Sequence, residues 1–182
     1  MLKNKFLSTL FAGNASVYAI IDAAKIEELT TNLLIYEPNY RMLFDGQDAV
    51  ELEEVAPYIV ELHEDDLFSQ WVMKKVYGND GAIFLQSRYD INTLANHFKG
   101  FLYVSREIAH PETGQLVIQE GVLAYYDPRV LPEWLESVEA EQKKAFLAMS
   151  EMLFYEDMVD RLLLHSYDSN GIQHEYNFSK VL

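Results

Sequence analysis

Gly121-Val122-Leu123-Ala124-Tyr125-Tyr126-Asp127-Pro128-Arg129-Val130-Leu131 decides how the rest of this 182-residue chain is read. Its first half is apolar, β-branched and aromatic, which predicts a strand buried on at least one face. Pro128 then ends the strand, because it lacks a backbone N–H and pushes Asp127 out of helical angles. Asp127 is placed to cap a turn with Pro128 at its first position. Pro132 limits that turn to one and starts a new helix. The reading is a strand that runs into a rigid corner and presents Tyr126, Asp127 and Arg129 together. A carboxylate and a guanidinium at this spacing suit an ion pair, and the stretch holds neither a nucleophile nor a metal cage.

Working outward, residues 101–104 and 116–118 read as strands flanking the loop His110-Pro111-Glu112-Thr113-Gly114. Before them, Asp90 caps a helical stripe of Ile91, Leu94, Ala95 and Phe98. Four further apolar runs predict strands: 17–22, 41–44, 58–62 and 82–85. A helix from Ala23 to about Tyr36 is expected between the first two, with Ile26, Leu29, Leu33 and Leu34 inward. A second helix, headed by Asp65 or Asp66, should bury Leu67, Phe68, Trp71, Val72 and Val76. Lys3 and Lys5 precede a short apolar run in which Phe6, Leu7, Leu10 and Phe11 share one helical face. That pattern predicts a docking helix rather than a cleaved leader.

Beyond Pro132 the apolar spacing reads as helical to the end. One stripe holds Trp134, Leu135 and Val138, a second Ala145, Phe146 and Met149, and a third Met152, Tyr155, Val159, Leu162 and Leu163. Gly171 reads as a stop. The expected fold is therefore α/β (α+β): a mixed β-sheet with flanking helices and a helical C-terminal part. Residues 1–131 would form the core with its N-terminal helix. Residues 132–182 would form the helical part, packed on that core as one domain.

Net charge is −15 with a sequence pI near 4.6, which argues against nucleic acid or an anionic membrane as partner. The chain has no cysteine, so disulfides, thiol catalysis and Cys-ligated zinc are excluded, and a reducing compartment is permitted. No phosphate loop, nucleophile elbow or helical His pair is present. His63 beside Glu64, Asp65 and Asp66 reads as a solvated helix start rather than a cation site. His165 and His174 read as ordinary surface or packing residues, and Trp71 and Trp134 as packing residues. No catalytic, cofactor or metal residues are expected. For Tyr126, Asp127 and Arg129 the expectation is a structural corner, with contact to a partner as the second reading.

Five segments in order carry a resemblance. They are Tyr18-Ala19-Ile20-Ile21-Asp22-Ala23-Ala24, Tyr40-Arg41-Met42-Leu43-Phe44-Asp45-Gly46, Ala56-Pro57-Tyr58-Ile59-Val60-Glu61-Leu62, Gly81-Ala82-Ile83-Phe84-Leu85-Gln86-Ser87 and the corner Tyr125-Tyr126-Asp127-Pro128-Arg129-Val130-Leu131. Together, over residues 17–150, they resemble the type VI secretion effector adaptors, also called effector chaperones. Ala124 departs from them, standing where similar sequences tend to carry a basic residue. The resemblance implies a cytoplasmic, non-enzymatic protein without cofactors. Its partners would be a secreted effector protein, which it binds, and the spike protein of the secretion machine, onto which it helps load that effector. Two other classes are open to an acidic chain of this kind: an immunity-type inhibitor of a toxin, and a carboxylate-dependent hydrolase.

Overall fold

Ser16–Asp22 (β1) is the axis of the structure, a computed structural model that describes residues 2–157, 159–160 and 163–178. After Ser16 every residue of β1 is buried, so both faces of this strand are covered. β1 pairs on one side with Pro57–Leu62 (β3) and on the other with Ala82–Ser87 (β4), setting Ile20 against Ile59 and Ile83. Tyr40–Met42 (β2) closes the β3 edge. On the β4 side follow Met152–Glu156 (β7), Leu163–Asp168 (β8) and Gln173–Asn177 (β9). The order is β2-β3-β1-β4-β7-β8-β9, and every pairing is antiparallel.

Helices cover this sheet. Leu2–Leu10 (α1) buries Phe6 and Leu10, with Phe6 stacked on Tyr77 and edge-on to Phe84. Leu29–Tyr36 (α2) lies beside Leu67–Lys75 (α4). Ile91–Lys99 (α5) buries Ile91, Leu94, Ala95 and Phe98, and Asp90 accepts the N–H groups of Asn92 and Thr93 as the stripe predicts. Gly46–Glu51 (α3) is a short helix that the sequence does not announce; the chain enters it through Gly46 at φ +60°. Leu131–Ser137 (α6) and Ala140–Leu147 (α7) complete the set among the described residues. α6 starts at the predicted place, with Pro132 in its first turn.

Several expectations are corrected. The C-terminal part is helical only through α6 and α7; β7, β8 and β9 then extend the main sheet. Consecutive Leu153, Phe154 and Tyr155 are all buried, which a two-sided strand achieves and an amphipathic helix does not. Leu162 lies outside the described residues. Gly171, at φ +78°, belongs to the β8–β9 turn, where Asp168 Oδ1 accepts the N–H groups of Asn170 and Ile172.

The strand before the corner, Leu116–Val122 (β6), is exposed throughout and ends at Val122. Among the described residues it pairs only with Tyr103–Ala109 (β5), forming a ribbon outside the main sheet. Tyr125 and Tyr126 are buried, but in a turn. The predicted helix from Ala23 begins instead at Leu29. Residues 23–26 form a turn whose Lys25 and Ile26 N–H groups bond the Asp22 carbonyl, and Leu34 faces solvent.

Candidate functional site

The corner is built from the chain's own turn chemistry. Asp127 Oδ1 accepts the Arg129 backbone N–H at 2.9 Å, and the Asp127 carbonyl accepts those of Val130 and Leu131. Tyr125 anchors it from behind, donating its hydroxyl to the Phe98 carbonyl at 2.9 Å within a cluster that includes Phe98 and Phe146. Trp134 meets Phe146 edge-on at 4.8 Å, so it serves the same packing. Tyr126 is buried beside Tyr125.

Two cations share the Asp127 carboxylate. Arg129 grips it from the same turn, Nε at 3.0 Å from Oδ1 and Nη2 at 2.7 Å from Oδ2. Lys25 reaches the same Oδ2 at 2.8 Å and also donates to the Asp80 carbonyl at 2.9 Å. The Asp127 side chain is 8% exposed, that of Lys25 23% and that of Arg129 48%. The cluster thus joins three segments: the end of β1, the entry to β4 and the corner. The Asp22 N–H bonding the Gly81 carbonyl at 2.9 Å closes the same junction.

These contacts set the charges. Burial pushes the Asp127 carboxyl up, but the bonds from Arg129 and Lys25 outweigh it and hold the group at about 2. Asp22, also buried, is raised by desolvation and lacks such partners in strength. Burial, then Asp22 and Asp127, push the Tyr126 phenol up to about 12. The bond to Asp127 raises Arg129 further. Beside the cluster lies an open groove of about 630 Å³, lined by Lys25, Glu27, Glu28, Lys75, Asp80 and Arg129 among others. Asp22 and Asp127 are not among its lining residues. The Asp127 carboxylate holds the groove's Lys25 and Arg129, while Asp22 Oδ1 accepts the Ala24 N–H at 2.9 Å.

Tyr126, Asp127 and Arg129 are therefore brought together, as the spacing suggests. Lys25 is the member that sequence reasoning missed. Its signal was its isolation, since it is the sole basic residue between Lys5 and Arg41 and follows a strand that ends in Asp22. His63, Glu64 and Asp65 stand exposed ahead of α4. His165 bonds Asp157 at 2.8 Å, and His174 lies 3.6 Å from Asp168. Among the described residues no three His, Cys, Asp or Glu side chains gather as a metal site.

Fold and site define an α/β protein with a seven-stranded antiparallel sheet whose strand ends are tied by a shared, buried carboxylate. The chain belongs to the family described as Domain of unknown function (DUF4123), whose profile matches residues 17–145. No curated protein and no solved structure matches the chain. No helix among the described residues is long and apolar enough to cross a membrane.

Proposed function

We propose that this protein is a non-enzymatic adaptor of a type VI secretion system. In the cytoplasm it binds a toxic effector and helps load it onto the spike protein. The observation that carries this reading is where the resemblance falls. Its five segments coincide with β1, β2, β3, β4 and the Asp127 corner, the frame that orders the whole molecule. The strongly negative net charge suits a protein partner with a basic face.

Co-expression with the product of the adjacent effector gene tests it. The effector's soluble yield should rise and the pair should co-purify. Recovery of the spike protein alone would turn the reading into spike docking, and recovery of neither would sink it.

A net charge of −15 equally suits an inhibitor that plugs a basic toxin. Deletion separates the two. Loss of an adaptor abolishes delivery and leaves the producing cell healthy, whereas loss of an inhibitor poisons it. A hydrolase would have to use the acids that line the groove, Glu27, Glu28 and Asp80. Glu28 is held by Lys75 at 3.3 Å, and turnover in a broad hydrolase screen of the purified protein would favour that reading over the adaptor.

A further inference from the structure

We infer that the α2–α4 face is the seat for the effector, and that it takes a basic, amphipathic helical segment. The partner's name rests on the adaptor reading; the chemistry of the seat does not.

The two helices are pinned at both ends. Glu28 meets Lys75 at 3.3 Å, while at the other end Tyr36 meets Phe68 at 6.2 Å and Phe68 meets Trp71 at 5.5 Å. Over this second end the apolar surface continues outward. Ile35 is 65% exposed and Leu67 is 63% exposed, next to Tyr36 and a half-buried Trp71. Large aliphatic groups left in water beside an aromatic seam are what a partner helix covers.

Charge identifies the occupant. Glu37, Glu64 and Asp65 stand exposed at the Tyr36 end of the seam, and none forms an ion pair among the described residues. No Lys or Arg occurs between Arg41 and Lys74, so no cation from that stretch offsets them. Glu37 is the telling member. It ends α2 in the left-handed region at φ 47°, ψ 45°, where glycine or asparagine is the ordinary choice. A carboxylate at a helix C-terminus also opposes the helix dipole. Glu37 thus runs against two local preferences and leaves a negative charge at this edge. An acidic or uncharged partner would leave that charge uncompensated, and a second copy of this chain would bring like charge against like.

The probe is a synthetic helical peptide of leucine and lysine at amphipathic spacing, with a leucine–glutamate peptide as its control. The protein should bind the lysine peptide, lose affinity as salt rises and ignore the control. Ile35→Ser with Leu67→Ser alters two exposed side chains, so its melt should match the wild type while affinity falls on the order of tenfold or more. Glu64→Lys with Asp65→Lys should weaken binding and flatten the salt dependence. Equal binding by the Ile35/Leu67 variant, no binding of the lysine peptide, or wild-type self-association abolished by that variant would overturn the assignment. An effector retained equally by wild type and the Ile35/Leu67 variant would overturn the seat and leave the adaptor reading standing. Peptide binding localised to the seam without effector co-purification would support the seat and count against the adaptor reading.

Discussion

Asp127 shows how one residue's surroundings set its worth. Its carboxylate is buried, and its charge is acceptable because Lys25 and Arg129 both reach it. Asp127→Ala strands two cations and opens the turn, and should cost ~3 kcal/mol in urea unfolding. Arg129→Ala should cost only about 1 kcal/mol, since the guanidinium is half exposed and Lys25 still neutralises the acid. Lys25→Ala should cost more than Arg129→Ala, because its ammonium ties together segments distant in sequence. If Arg129→Ala proves the most damaging of the three, this ranking fails. The pH dependence has a definite sign. A folded value of about 2 lies below the unfolded carboxyl's ~3.9, so Asp127 stabilises the fold above that range and loses its contribution as pH falls from about 4 to about 2. Asp22 is raised and acts oppositely, its buried charge being relieved by acid. Other depressed acids, Asp157 and Asp168 among them, also steepen the wild-type curve. The melting-temperature gap between wild type and Asp127→Asn isolates the one group, and it should narrow across that window. A constant gap would contradict the assignment.

At the scale of elements, α1 depends on a buried side chain from another strand. Gln86 in β4 donates its amide to the carbonyls of Leu10 at 2.8 Å and Ala12 at 3.0 Å, satisfying the open end of α1. Gln86→Leu keeps the bulk and leaves those carbonyls unpaired, at a cost of ~1–3 kcal/mol. Amide exchange should quicken in α1 while β1 stays protected; uniform quickening would mean that the amide supports the whole sheet instead. Nothing in the run Ala82-Ile83-Phe84-Leu85-Gln86 marks this glutamine, because its partners come from a helix far along the chain. The legible elements are those whose pattern is complete locally. α5 carries its own cap and a clean stripe, and β1, β3 and β4 are short apolar runs bounded by turns. β7 is not legible, because Met152, Tyr155 and Val159 also fit a helical spacing, and only the cover on both faces of Leu153 and Phe154 makes it a strand. In the same way Asp127 and Arg129 could be paired from their spacing, whereas Lys25 reaches them only through the sheet.

Across the whole molecule, the family match stops at residue 145, inside α7, while the sheet continues through β7, β8 and β9. These three strands are part of one core. β7 sets Phe154 against Phe84 and Leu153 against Leu85, and the fully buried β4 is hydrogen-bonded to it along one side. Side-chain bonds join the same parts: Ser87 donates to the Met149 carbonyl at 2.6 Å, and the Gly78 N–H to Glu156 at 2.7 Å. A chain ending at residue 147 would leave β4 as a bare apolar edge, the kind of strand that pairs with other copies of itself. That truncation should be recovered aggregated, or should melt without a cooperative transition. A chain ending at residue 168 loses the edge strand β9 and its turn, and with them Tyr176, which meets Phe154 at 6.1 Å, and the buried Phe178. It should stay monodisperse and melt cooperatively at a lower temperature, because β8 lacks the long apolar surface that β4 would expose. Size-exclusion profiles and thermal melts of both truncations decide the matter. A residue-147 truncation that melts cooperatively near the wild type would make the three strands an appendage, and the family-matched part a complete domain without them.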